Sequence, residues 1–167
     1  VEKVRVTSGL DLEIVIAGTD NPNVPGYLKN VQEKYKNVPQ ITFTGYVEEC
    51  EVAPLFKESA VVVFPYTSTT GSSGVLHQAG SYGKAVVMPD EGYRGEFFQP
   101  ESTDSLAVAI EAIVTNDAYR VQLEKANYKA ATAFPMERIT NMYLNEFENI
   151  IYNKQTSESI FTEPATI

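Results

Sequence analysis

Cysteine is nearly absent: Cys50 stands alone in 167 residues. An internal disulfide and a cysteine-based zinc cage are therefore excluded, which fits a reducing compartment and a structural thiol, buried or partly exposed. Histidine is equally scarce, with His77 the single one, and the carboxylates are scattered, so no metal cluster is expected. Basic residues are few: 13 Lys and Arg against 22 Asp and Glu give a net charge of −9. No basic run offsets the acids, which argues against broad contact with a nucleic-acid backbone or docking on an anionic membrane. No apolar run reaches the length of a membrane-spanning helix, and the first residues lack the charged-then-apolar plan of a signal peptide. A cytoplasmic location is expected. Neither the Walker pattern nor GxGxxG occurs.

What is present is a core-forming, alternating pattern. Hydrophobic residues make up 43% of a chain long enough for one well-packed domain. Four apolar runs, Leu12 to Ala17, Ile41 to Thr44, Val61 to Phe64 and Ala85 to Met88, read as short parallel strands, and the run Val61 to Phe64 suits a strand covered on both faces. Between them lie helix-length segments, Pro25 to Tyr35, Glu48 to Ser59 and Gly74 to Tyr82. Gly95 to Phe98 offers a fifth strand. The fold class is α/β, a Rossmann-like doubly wound parallel sheet. Leu106, Ile110 and Ile113 form one helical stripe and Ile139, Tyr143, Phe147 and Ile150 another, and both helices are expected to pack on the sheet. The domain is read as residues 1–153. Residues 154–167, KQTSESIFTEPATI, lose periodicity and form a polar tail, flexible or lying as a strap on another part of the molecule. Val1 to Ser8 looks like the end of a helix with no strand before it, whereas a doubly wound unit opens on a strand, so a fragment is expected.

The stretch FPYTSTTGSSGVLHQAGSYGKAVV, Phe64 to Val87, reads as buried strand, Gly/Ser turn, helix and buried strand. Backbone N–H groups near Ser72, Ser73 and Gly74, at the start of that helix, would meet an anion with the positive end of the helix dipole. A strand-to-helix turn in any α/β domain also uses Gly and Ser for geometry alone, so the composition leaves both readings open.

IAG at 16–18, ITFTGYV at 41–47, the Ala60 to Pro65 strand, GKAVV at 83–87 and SLAVAIEAIV at 105–114 occur in a distinctive order. Over roughly residues 1–150 the chain resembles the C-terminal, donor-binding half of retaining glycosyltransferases of the GT-B fold, the large bacterial glycosyl transferase group 1 family (family 4). The resemblance implies that a nucleotide-diphosphate sugar lies across the C-terminal ends of the strands. Gly45, Tyr46 and Val47 would meet the base, Gly71, Ser72, Ser73 and Gly74 would hold the diphosphate, and Gly18 and Thr19 would line the cleft near it. The family's signature pair of glutamates, eight positions apart, falls on Thr70 and Gln78. Gln78 can still bond the ribose hydroxyls through its amide, whereas Thr70 brings no charge to the sugar. His77 lies beside Gln78, near the cleft mouth, as a structural hydrogen-bonding group or a site residue.

Two further departures concern the diphosphate side. Only MPDEGYR separates Val87 from the Gly95 strand where the family carries a longer, sugar-contacting loop, so the loop is either deleted or missing residues between about Asp90 and Glu91; the second is expected. The family's Arg and Lys clamp has no counterpart in these residues, and neither Lys84 nor Arg94 occupies a matching position. The implied function is the donor half of a hexosyltransferase, inactive as a fragment, with the N-terminal acceptor domain of the same protein as partner and no metal or cofactor. The alternative is a degenerate module that keeps only nucleotide or sugar recognition. A flavodoxin-like or receiver-type domain shares the strand–helix alternation but wants acids clustered at strand ends, and Asp20 and Asp90 are isolated.

Overall fold

The computed structural model describes residues 1–66, 74–89 and 95–160, with the side chains of 153–160 excepted. It divides into two compact units, Val1–Ala131 and Thr132–Ile167.

The first unit alternates helix and strand. In chain order it runs α1 (Glu2–Ser8), β1 (Ile14–Ala17), α2 (Tyr27–Tyr35), β2 (Ile41–Gly45), α3 (Glu49–Glu58), β3 (Val62–Val63), α4 (Gly74–Ser81), β4 (Val86–Pro89), β5 (Glu96–Phe98), α5 (Thr103–Val114) and α6 (Asp117–Thr132). Local chemistry sets the helix ends. Gly9 stops α1 in the left-handed region at φ 71°, where its N–H reaches Arg5 O. Glu48 and Glu51 close a reciprocal capping box at the start of α3. Ser102 Oγ accepts from Ser105 N at 3.1 Å to cap α5, and Ser105 Oγ accepts from Gln99 N at 2.8 Å.

All strand pairing in the named strands is parallel. β1 pairs β2, and β4 lies between β3 and β5, so the described ladder is in two pieces. Alternate residues of the central segment serve two apolar clusters, as a strand's period of two requires. Ala85 and Val87 join Val4, Phe98, Ala109, Ile110 and Ile113, while Val86 and Met88 join Phe64 and Ala79. One cluster therefore sits on each face of β4, which is buried along its whole length. Leu106 packs on the first cluster and brings α5 onto the sheet as its stripe predicts.

β1 and β2 are not buried on both faces as β4 is. Their burial alternates: Ile14, Ile16, Ile41 and Phe43 are half-buried, whereas Thr42 and Thr44 are exposed and Val15 is 52% exposed. No described element covers that second face. Cys50 is exposed as well, on the first turn of α3.

The second unit is the helix α7 (Met136–Ile160). The polar segment from Lys154, read as an irregular tail, continues this helix to Ile160, and residues 161–167 lie outside the described ones. Polar residues such as Lys, Gln and Glu favour helix well enough to extend one already nucleated. Of the stripe Ile139, Tyr143, Phe147 and Ile150, the last three are each more than half accessible and Ile139 is half-buried. Tyr143 and Phe147 stack on each other, with ring centroids 6.3 Å apart, as neighbours four residues apart on a helix can.

Candidate functional site

The C-terminal ends of β1 and β2 pinch together and then open. Their parallel register slips between Ile16 and Ala17, and just beyond it Gly18 and Gly45 form an isolated bridge. Gly18 N is shared between Gly45 O at 3.1 Å and Thr44 Oγ1 at 3.2 Å, and the Thr44 hydroxyl donates to Gly45 O at 2.9 Å. Gly18 at φ 118° and Gly45 at φ 69° occupy backbone conformations that a side chain disfavours. The pinch thus depends on two glycines.

Two open clefts, each of about 410 Å³, meet there. One lies between Gly18, Phe43, Thr44 and Gly45 on the strand side and Leu28 and Gln32 on α2; the other is bounded by Ala17, Asn21, Val24 and Tyr27. Thr19, Asp20 and Leu28 border both. Asp20 holds this region together. Its Oδ2 accepts from Gly26 N at 2.7 Å and its Oδ1 from Leu28 N at 2.6 Å, so one carboxylate supplies acceptors to the first turn of α2.

The eight described residues expected to bind a donor fall into three groups. Gly18, Thr19 and Gly45 come together at the cleft. Tyr46, 72% exposed, and Val47 lie in the turn that leads from β2 to α3. Gly74 opens α4, with exposed His77 and half-buried Gln78 inside it. The Gln78 backbone carbonyl accepts from Tyr82 N at 3.1 Å and Ser81 Oγ at 2.7 Å. Thr70, Gly71, Ser72 and Ser73 lie outside the described residues, as do Asp90 to Arg94 around the short connection.

α4 is fixed from the opposite side. Ala79 and Gly80 are buried, and a Cβ on Gly80 would meet Ala131 Cβ at 3.0 Å, so α4 and α6 approach as closely as a glycine allows. Lys84 serves this frame instead of a ligand. Its Nζ donates to Lys57 O and Ser59 O, each at 2.9 Å, where the end of α3 leaves carbonyls to be satisfied.

Asp20, Leu28, Gln32, Phe43 and Thr44 were not among the expected site residues, yet they border the cleft. A usable signal existed for two of them: Leu28 and Gln32 are four apart on a predicted helix that follows a strand ending in glycine. Among the described residues no group of His, Cys, Asp and Glu is placed to hold a metal ion, and no helix is long and apolar enough to cross a membrane.

The architecture has known relatives. HepE from Anabaena, solved in complex with UDP and glucose, is similar over 87% of this chain and 43% of its own, with a TM-score of 0.71 and 14% identity. Sucrose-phosphate synthase from Thermosynechococcus elongatus is similar over 92% of this chain and 49% of its own, with a TM-score of 0.68 and 16% identity. HepE in complex with UDP-glucose gives a TM-score of 0.66 and 15% identity, over 89% of this chain and 52% of its own. The chain therefore spans about half the length of these structures and has the Rossmann-like α/β fold found in GT-B glycosyltransferases. A search of curated proteins gave no match. Residues 1–116 match the family described as glycosyl transferases group 1, and the chain belongs to that family.

Proposed function

We propose that this chain is the C-terminal, donor-binding half of a cytoplasmic, retaining glycosyltransferase that moves a hexose from a nucleotide diphosphate to an acceptor chosen by an N-terminal domain of the same protein. The observation that carries the reading is the cleft at the C-terminal ends of the parallel β1 and β2, opened by Gly18 and Gly45, where ligands of open α/β sheets bind. Family membership and the UDP and UDP-glucose complexes of HepE support a nucleotide-sugar donor. Gly45, Tyr46 and Val47 serve the base side, Gly71 to Gly74 hold the diphosphate with Gly18 and Thr19 lining the cleft near it, and Gln78 bonds the ribose hydroxyls. Helix-terminal amides and basic side chains stabilise the departing diphosphate without a metal or cofactor. The transition state is oxocarbenium-like.

Incubating the full-length protein with nucleotide-diphosphate hexoses tests this. Nucleoside diphosphate should appear, and the transferred or hydrolysed sugar should keep the donor's anomeric configuration by proton NMR. Inversion would contradict the retaining mechanism. Binding without turnover would instead favour a degenerate module that only recognises nucleotide or sugar, a reading supported by Thr70 and Gln78 standing where the resemblance places glutamates.

A further inference from the structure

We propose that Gly80 is a positioning residue for the donor: by letting the backbone of α4 lie directly against α6, it fixes where Gln78 is presented. This rests on the donor-binding reading above and adds to it a residue that acts from behind the site.

Glycine weakens the interior of a helix relative to alanine, and Gly80 does not take the positive φ that would call for it. Space is what it supplies. Gly80 is buried, and a Cβ there would lie 3.0 Å from Ala131 Cβ and 3.3 Å from Asn127 O, both on α6. Neither atom is the far end of a flexible side chain that could swing aside. Asn127 and Ala131 are four apart and present one face of α6 to α4. The Asn127 amide also holds Lys84 O at 2.9 Å, just past the end of α4.

α6 is the firmer of the two helices. Its Tyr119 donates to Glu96 Oε2 on β5 at 2.5 Å, and Tyr119 and Leu123 pack against the buried cluster that contains Ile113. A methyl group added at Gly80 is therefore accommodated by movement of α4, by a few tenths of an ångström. Gln78 precedes Gly80 by two residues, about 200° around the helix, so it leaves α4 on the side away from α6. Displacing α4 from α6 thus carries Gln78 along its own direction. Hydrogen bonds weaken when length and angle leave a narrow range, and the shift is felt as lost affinity for the group that Gln78 holds.

The test is calorimetric titration of the full-length protein and its variants with UDP, beside urea unfolding of each. Gly80→Ala should weaken UDP binding by about 3- to 10-fold, a part of what one such hydrogen bond contributes. Ala131→Val fills the same contact from α6 and should act alike, and combining Gly80→Ala with Ala131→Gly should recover most of the loss. In a Gln78→Ala background Gly80→Ala should cost no further affinity, because its effect runs through Gln78. UDP affinity unchanged in Gly80→Ala and Ala131→Val, with only the unfolding midpoint lowered, would overturn the proposal by reducing Gly80 to a packing role. A loss that persists undiminished in the Gln78→Ala background would overturn it equally. Should Gly80→Ala fail to fold, Ala131→Val decides. If the parent protein bound no UDP, the donor reading itself would fall and this proposal with it.

Discussion

Asn127 on α6, only 7% exposed, donates from Nδ2 to the backbone carbonyl of Lys84 at 2.9 Å. Lys84 in turn ties the entrance of β4 to the end of α3 through its two carbonyl contacts. One buried amide thereby joins α6 to the turn between the helix that carries Gln78 and the central strand. Asn127→Ala would leave the Lys84 carbonyl without this donor, at a cost of about 1–3 kcal/mol. Urea unfolding should show the loss as a lower midpoint with an unchanged slope.

Gly95 precedes β5 where the backbone passes close to β4. A Cβ there would sit 2.7 Å from Val86 Cγ2 and 3.0 Å from Val86 O. Gly95→Ala should destabilise the fold by about 1–3 kcal/mol, the usual range for overpacking. Adding Val86→Ala should restore only part of this, because the backbone oxygen remains. Full recovery in the double variant would contradict the backbone contact.

Tyr119 on α6 donates its hydroxyl to Glu96 Oε2 at 2.5 Å, and its pKa is pushed up to about 12, first by that hydrogen bond and then by burial. The folded value lies above the unfolded value near 10, so the stabilisation is complete below about pH 10 and is lost as pH rises through about 12. Absorbance titration of phenolate should show a tyrosine that ionises late, missing in Tyr119→Phe. Glu96→Gln should bring that titration down toward its ordinary range. A curve identical in parent and Glu96→Gln would remove the carboxylate as the cause.

Strand positions were legible because parallel, buried strands read as short β-branched runs; the run from Ala85 to Met88 is the clearest, with both its faces buried. β1 and β2 read the same way, but their uncovered face depends on what lies beside them, which no strand's own residues state. α7 shows the converse. Its stripe at Tyr143, Phe147 and Ile150 has helical spacing, and spacing fixes the secondary structure without naming what the stripe meets. At the candidate site, glycines betrayed Gly18 and Gly45, since only the backbone conformation matters there. Asp20 was hidden, because a carboxylate that caps a helix from six and eight residues upstream lies outside the short patterns by which caps are recognised.

Gln78, expected at the ribose, is half-buried within α4 beside exposed His77. Gln78→Ala in the full-length protein should weaken nucleoside diphosphate binding by about 1–3 kcal/mol, while Gln78→Glu should be tolerated, because a carboxylate accepts from the same hydroxyls. His77→Ala should matter less. A titration in which Gln78→Ala binds like the parent would take the residue out of the site.

If this fold binds the nucleotide end of a sugar donor, calorimetry with UDP and GDP will show it directly. The full-length protein should bind at least one of the two saturably. The isolated chain should bind weakly or not at all, since desolvating the phosphates with half a cleft goes largely uncompensated. Tight binding by the isolated chain would show the proposed N-terminal half to be dispensable for the donor. No binding of either nucleotide by the full-length protein would rule out a nucleotide-sugar donor site in this fold.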